Sequence, residues 1–226
     1  NGIPWWYFQK HGGPWEGTHL ESVDPGSVIT NHIPPERLIG CVVYPAAVLV
    51  EPGMITHTEG DRFSIGELDG LTSDRCRSLS SAIVGAGLRA PIRPNIRQEI
   101  WVKLLGNIAF NPVSALTKAN MLEIATDPDA EAIVRAMMAE TYAVAEALGI
   151  KMPVSIDQRM EGAKKVGKHK TSMLQDIEAA KPLEIGSLIG SVLELGKLVG
   201  KPMPYTSTVY SCTKLLDIKT VEQVTT

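Results

Sequence analysis

The sequence is poor in the features that mark several large classes of protein. Its three cysteines, Cys41, Cys76 and Cys212, lie far apart without a CxxC pair, which favours a reduced, cytoplasmic protein over a disulfide framework. No apolar stretch is long enough to span a membrane, and the first residues show no charged segment followed by an apolar core, so no signal peptide is expected. The net charge is −3 without clustered Lys and Arg, so no nucleic-acid surface is predicted. The five histidines lack metal-ligand spacing, which argues against a metal site.

Two further absences concern the start of the chain and nucleotide binding. The chain opens with Asn1-Gly2-Ile3-Pro4 without an initiator Met, and we expect it to be the middle of a longer protein. No GxGxxG is present, although this fingerprint holds a dinucleotide pyrophosphate at a helix N-terminus. By itself the chain is therefore expected to bind a dinucleotide poorly or not at all.

The chain does contain a change of hydrophobic period near Asn95. Before it, a hairpin turn signal at Glu51-Pro52-Gly53 separates short apolar runs, which predict strands in an antiparallel extension of a sheet. The predicted strands are residues 38–44, 47–50, 54–58 and 62–65. A helix is predicted at 72–86. The aromatic residues 5–8 predict either a local hydrophobic cluster in an irregular segment or a rim over a ligand cleft.

From Asn95 onward the spacing of apolar residues is helical, and capping residues mark the helix starts. The predicted starts are Asn95, Asp127-Pro128, Ser155 and Ser172, with further helices at 184–199 and 205–218. The sequence thus predicts a strand-rich domain at residues 1–93 and an all-helical domain at residues 94–226.

The first of these helices carries an unusual polar stripe. Lys103, Asn107, Asn111 and Ser114 are the polar exceptions among apolar or small residues, and their spacings of 4, 4 and 3 place them on one face. Such a stripe is most often the solvated face of an amphipathic helix. It is narrow for that, however, and asparagine is a poor helix former, so a polar cleft is the alternative. Pro112 is predicted to kink or break the helix beside it.

Three ordered motifs resemble those of the ketopantoate reductases. They are Lys103-Leu-Leu-Gly-Asn107-Ile-Ala-Phe-Asn111-Pro-Val-Ser-Ala-Leu, Ser172-Met-Leu-Gln-Asp176 and Pro182-Leu-Glu184-Ile. Asn1-Gly2 is similar to the Asn-Gly that ends the nucleotide-binding half in that family. The resemblance covers essentially the whole chain. It implies the C-terminal part of an NADP-binding Rossmann-type domain, followed by an all-α substrate domain resembling the 6-phosphogluconate dehydrogenase C-terminal domain.

The resemblance also implies roles for individual residues. Lys103 would be the general acid, and Asn107 and Asn111 would bind the keto acid. Ser172 would hold the substrate carboxylate. Glu184 would contact substrate or cofactor hydroxyls and help set the charge of Lys103, which makes it both catalytic and cofactor-binding. Asn1 would touch cofactor and substrate.

Three of these residues also have an ordinary structural interpretation. Ser172 with Gln175 could be only a helix cap, and Glu184 only a first-turn carboxylate favoured by the helix dipole. Asn1 could be an ordinary turn residue.

The function implied by the resemblance is NADPH-dependent reduction of 2-dehydropantoate to (R)-pantoate, on the pathway to pantothenate and coenzyme A. One alternative is a related reductase of another branched 2-keto acid. The other is a non-catalytic helical association module, with this chain inactive by itself. Apolar helix faces also favour pairing into a homodimer.

Overall fold

The computed structural model describes residues 1–225, which divide into two compact units. The first unit contains Asn1 and residues 5–19 and 26–100. The second contains residues 2–4, residues 20–25 and the chain from Trp101 onward. Within residues 1–225, no helix combines the length and apolar character that crossing a lipid bilayer would require.

The first unit contains two separate antiparallel strand pairs. Strand β1 pairs with β4, with Gly40 opposite Gly66, and β2 pairs with β3, with Leu49 opposite Ile55. Short parallel bridges join Arg62 to Arg89 and Ile65 to Ile92. The strands are β1 (Gly40–Val43), β2 (Ala46–Glu51), β3 (Met54–Glu59) and β4 (Phe63–Gly66). All four predicted strands are therefore confirmed, but they form two pairs rather than one continuous sheet.

Helices α1 (Val28–His32) and α2 (Asp74–Gly85) complete the first unit, together with the first turn of α3 (Ile96–Thr117). The Ser73 side chain caps α2 by accepting a hydrogen bond from the Cys76 amide. The short helix α1 lies in a stretch that was predicted to be irregular. Its five residues include no buried side chain, so no hydrophobic periodicity marks it in the sequence.

The aromatic residues near the start of the chain form a buried cluster. Tyr7 and Phe8 are fully buried, and their rings meet edge to face at 4.9 Å between centroids. This arrangement confirms a local hydrophobic cluster at Tyr7 and Phe8, while Trp5 and Trp6 are half-buried.

Arg97 fixes this aromatic segment to the first turn of α3. Its guanidinium is only 9% exposed and donates hydrogen bonds to the carbonyl oxygens of Tyr7 at 2.7 Å, Gln9 at 2.6 Å and Leu68 at 2.5 Å. The planar fork of arginine meets several acceptors at once, which an ammonium group cannot do in the same geometry. One side chain thus satisfies two carbonyl groups of an irregular segment, those of Tyr7 and Gln9.

The second unit is helical throughout its ordered elements. It contains the rest of α3, α4 (Met121–Thr126), α5 (Pro128–Ala147), α6 (Ile156–Val166), α7 (Ser172–Glu178), a π-helical turn (Gly186–Gly190), α8 (Ser191–Leu198) and α9 (Pro204–Thr225). Their inward faces form an apolar core that includes Leu104, Ile108, Val134, Met137 and Val192.

Side-chain caps define most of the helix starts in this unit. Asp127 caps α5, and Ser155 forms a capping box with Gln158 at α6, as predicted. A capping box between Asn120 and Glu123 starts α4, which was not predicted. The start of α9 is capped from another helix, because the Glu140 carboxylate accepts hydrogen bonds from the amides of Tyr205 and Thr206.

The predicted division at residues 93 and 94 differs from the observed one in two respects. The first turn of α3 belongs to the first unit, where Arg97 donates a hydrogen bond to the Tyr7 carbonyl oxygen. Residues 2–4 and 20–25 belong to the helical unit, because Ile3 donates its amide to the Ser187 carbonyl at 3.0 Å and Glu194 accepts the amides of Glu21 and Ser22. The sequence pattern cannot show this, since these segments have no period of their own.

The Arg97 anchor can be tested by replacing it with lysine. We expect Arg97→Lys to lower the free energy of unfolding by about 2–4 kcal/mol, because buried carbonyl groups lose their donors. Urea unfolding followed by tryptophan fluorescence measures the change. Arg77→Lys, an exposed arginine paired with Asp74, is the matched control and should shift the stability by less than about 0.5 kcal/mol. Equal midpoints for the two variants would contradict the proposed anchor.

Candidate functional site

The polar stripe of α3 lies in the helical unit and is not an ordinary solvated face. Asn111 is 5% exposed, and Lys103 and Asn107 are half-buried. Apolar neighbours on the same stretch of helix are buried as well, among them Ile108 and Phe110. The interpretation as the solvated face of an amphipathic helix is therefore wrong for Asn111 and Ser114, whose side chains are buried. A buried carboxamide and a half-buried ammonium require polar surroundings, which a cleft for a polar ligand supplies.

Ser114, the last residue of the stripe, has a structural role. Its side chain is fully buried, and its hydroxyl donates a 2.6 Å hydrogen bond to the carbonyl oxygen of Ala119, just beyond the end of the helix. The side chains that remain to form a site on α3 are therefore Lys103, Asn107 and Asn111.

Pro112 does not break the helix, which leaves a kink as the other predicted effect. Helix α3 continues through it to Thr117. Its missing N–H removes the usual bond to the Ile108 carbonyl. Residues on both sides of Pro112 are buried, including Phe110 and Val113, and this packing stabilises the helical path.

Ser172 lies next to Asn111, and it is not the cap of its helix. The cap of α7 is Thr171, whose hydroxyl accepts the Leu174 amide at 3.2 Å. The interpretation of Ser172 as the helix cap is therefore wrong. Its exposed side chain meets Asn111, whose Nδ2 donates to Ser172 Oγ at 3.5 Å. The structure thus brings the first two sequence motifs together.

Glu184 lies two residues before the π-helical turn that leads into α8. The predicted helix at 184–199 starts irregularly, because Gly186–Gly190 forms a π turn before the α-helical residues. The Glu184 side chain is exposed, while its carbonyl oxygen accepts the Leu188 amide at 3.1 Å. Turns of this kind are frequent at functional sites because the extra residue changes where backbone groups point.

Asp176 was missed as an individual residue, although it ends the second motif. Its half-buried carboxyl has a raised pKa, first because burial disfavours the charged form and second because the Glu184 carboxylate is near, while Lys181 opposes the rise. The effect of Glu184 on the pKa of Asp176 shows that the second motif lies close to Glu184. A carboxyl group whose pKa is shifted by burial and by a neighbouring charge is a candidate for a functional site.

The Asn1-Gly2 segment is fixed by its second residue. Gly2 has a φ of 76°, and a Cβ there would lie 2.1 Å from the Ser187 carbonyl oxygen in the π turn. Only glycine fits this conformation and this close approach. Asn1 itself is exposed and belongs to the first unit. The helical unit therefore fixes Gly2, the residue after Asn1, against the turn that follows Glu184.

Arg159 is a second residue that the sequence did not reveal. It lies in the first part of α6 and is half-buried, and its guanidinium lies against α3 at Gly106. Nothing in the sequence around Arg159 marks it. The only available signal was a glycine inside a buried helix between Lys103 and Asn107, which indicates that another group approaches the backbone closely.

Three stretches of the helical unit carry polar groups, and two interactions join them in pairs, Asn111 with Ser172 and Asp176 with Glu184. These groups comprise one ammonium, two carboxamides and a hydroxyl on α3 and α7, with carboxylates at Asp176 and Glu184. Such a set can bind an oxyanion and move a proton to it. Among the described residues, no three His, Cys, Asp or Glu side chains come together as metal ligands would.

Comparisons with known proteins agree on one family. The family model for the ketopantoate reductase PanE/ApbA C-terminal domain matches residues 95–217. A curated 2-dehydropantoate 2-reductase from Mesorhizobium japonicum is 50% identical over 219 residues, which are 97% of this chain and 67% of the relative.

Solved structures agree with this. A structure from Ralstonia solanacearum described as a ketopantoate reductase is 39% identical with a TM-score of 0.91, covering 96% of this chain and 66% of that one. A 2-dehydropantoate 2-reductase from Methylococcus capsulatus is 33% identical with a TM-score of 0.76, covering 80% and 59%. The chain thus spans between 59% and 67% of the length of these three relatives.

The raised pKa of Asp176 predicts a pH-dependent stability. A carboxyl whose pKa is higher in the folded state than its usual 3.8 destabilises the fold above the raised pKa, and this penalty disappears as the pH falls toward 3.8. We therefore expect Asp176→Asn to unfold at higher urea concentration than the unaltered protein at pH 7, with the difference shrinking at acid pH. Asp157→Asn, at an exposed position on α6, is the control. A constant difference between pH 7 and pH 4 would contradict the burial of Asp176.

Proposed function

Since the chain belongs to the ketopantoate reductase family, we propose that it reduces 2-dehydropantoate to (R)-pantoate with NADPH. The observation that carries the proposal is the hydrogen bond between Asn111 and Ser172, at 3.5 Å. It joins two motifs that are 61 residues apart, and Ser172 is not required as a cap because Thr171 already caps α7. A carboxamide and a hydroxyl side by side are suited to a substrate with a carboxylate and a ketone.

The proposed mechanism assigns the proton to Lys103. As the ketone carbon is reduced, negative charge grows on its oxygen, and the Lys103 ammonium stabilises this charge. The ammonium Nζ then gives a proton to that oxygen, which becomes the hydroxyl of the product. Lys103 is left as a neutral amine and takes up a proton from solvent. A half-buried position suits this role, because partial desolvation favours release of the proton.

The remaining side chains position the substrate. Asn107 and Asn111 donate amide hydrogens to the keto acid, and Ser172 donates its hydroxyl to the carboxylate. Glu184 contacts hydroxyl groups and keeps Lys103 charged until the proton is needed. Holding both ends of the keto acid aligns the reacting bond, which lowers the entropic part of the barrier.

The donor set fits a nicotinamide as the second reactant. No side chain of the site can provide two electrons, whereas a bound reduced nicotinamide supplies a hydride. Asn1 and Glu184 are the residues that would contact it. Supporting this assignment, Gly2 is locked on the turn that follows Glu184. The choice of NADPH over NADH is part of the proposal.

The wider assignments follow from family membership. We infer that residues 1–93 are largely the C-terminal part of a Rossmann-type domain, and that the helical domain resembles that of 6-phosphogluconate dehydrogenase. A place in pantothenate and coenzyme A synthesis, a cytoplasmic location and pairing into homodimers are expected on the same ground.

The role of Lys103 can be tested in the protein as the cell makes it. We expect Lys103→Ala to keep its fold and to lose about 100- to 10,000-fold in kcat, because the general acid is removed. The consumption of NADPH measured by absorbance follows the reaction, and circular dichroism checks the fold. Lys165→Ala, an exposed lysine on α6, is the control and should have full activity. Normal turnover by Lys103→Ala would remove this side chain from the mechanism.

The substrate needs its own test, because a fold does not choose a substrate. The same fold occurs in a D-mandelate dehydrogenase solved with NADH and anilino(oxo)acetate, at 21% identity and a TM-score of 0.76. We expect the highest kcat/KM for 2-dehydropantoate in a panel of branched and aromatic 2-keto acids, each assayed with NADPH and NADH. A higher value for another branched keto acid would favour the related-reductase alternative. Absence of turnover with every pair would favour the non-catalytic one.

A further inference from the structure

Gly106 makes a notch on α3 that the guanidinium of Arg159 occupies. A Cβ at Gly106 would lie 2.0 Å from Nη2, 2.3 Å from Nε and 2.5 Å from Cζ of Arg159. These distances are far below van der Waals contact, so the guanidinium occupies the space that any other residue at 106 would fill. The side chain from α6 therefore lies directly on the backbone of the helix that bears Lys103 and Asn107.

The position of Arg159 on α6 is well defined. The capping box of Ser155 and Gln158 fixes the start of this helix, and the Arg159 amide bonds to the Ser155 carbonyl at 3.0 Å. The Nε atom is buried and the residue as a whole is half-buried. A guanidinium held in this way loses little further conformational freedom on binding a ligand, which favours affinity.

The notch places a second positive charge beside the proposed general acid. Lys103 precedes Gly106 by three residues, and side chains at this spacing are neighbours, with about 5–6 Å between their Cβ positions. Two partly desolvated cations on one stretch of helix repel each other, and an anion that binds between them relieves this repulsion. An anion that lies near both side chains would be attracted by both charges.

We propose that Arg159 binds the carboxylate of the keto acid substrate, an inference that rests on the proposed function. In a 2-keto acid the carboxylate is bonded directly to the ketone carbon, so the group that holds it must lie close to the group that protonates the ketone oxygen. A guanidinium can hold both carboxylate oxygens at once. Arg159 then provides the charge for carboxylate recognition, and the Ser172 hydroxyl provides a neutral hydrogen bond.

The test compares two substrates that differ only in this charge, 2-dehydropantoate and its primary amide. We expect Arg159→Gln to lower kcat/KM for the acid by about 10- to 100-fold, mainly through KM, because one charge-assisted hydrogen-bonded pair is lost. The value for the amide should change little, because the amide offers no charge to the guanidinium. Arg159→Lys keeps the charge without the fork and should recover part of the preference for the acid.

Two further variants separate binding from structure. Gly106→Ala adds a methyl group where the guanidinium lies. Like Arg159→Gln, it should lower kcat/KM for the acid and leave kcat/KM for the amide nearly unchanged. The fold should tolerate it, since the group that must move is the end of a flexible side chain. Arg135→Gln removes another arginine beside α6, one paired with Glu131 and Asp157, and should leave the preference for the acid unchanged.

The outcomes distinguish the two proposals. A similar loss for acid and amide in Arg159→Gln would overturn the role of Arg159 and leave the reductase function intact. If the unaltered, folded protein reduces neither substrate with NADPH or NADH, the proposed function fails, and the inference fails with it. Loss confined to the acid, reproduced by Gly106→Ala, is the result that supports both.

Discussion

A helix that is buried on nearly every side, as α3 is, must find a polar partner for each polar group that it carries. Ser114 meets this requirement within the fold, through the Ala119 carbonyl. Asn111 meets it by donating to the Ser172 hydroxyl, which does not cap α7 because Thr171 does. The arrangement of α7, and with it the position of the second motif, follows from this need. The helical unit is thus organised around the polar residues of one otherwise apolar helix.

The π turn after Glu184 is a second point at which backbone geometry and site geometry coincide. Its Ser187 carbonyl accepts the Ile3 amide from outside the helix, and also the Ser191 hydroxyl at 2.6 Å. Gly2 allows the approach because it has no side chain and adopts a positive φ. The segment that follows Asn1 is therefore joined to the residues that follow Glu184 by one carbonyl group.

Helix caps could be predicted from the sequence where a single residue type determines them. Asp127 and Ser155 were recognised as caps because their side chains bond to amides three residues on. The choice between Thr171 and Ser172 could not be made, since both are good caps and only the three-dimensional environment selects one. The α4 capping box was readable in the same way and was missed. Arg159 and Asp176 depend on which helices pack together, and no local pattern encodes that.

The helical unit is also discontinuous along the chain. Ile3 and Leu20 are 1% and 2% exposed within it, and Glu194 accepts two amides from residues 21 and 22. A fragment cut at residue 94, where sequence periodicity and the family model both place the start of the helical part, would lack these segments. Such a fragment would expose two apolar surfaces and leave a carboxylate without its donors. The solubility and stability measured for such a fragment would therefore reflect the missing segments and not the complete helical unit.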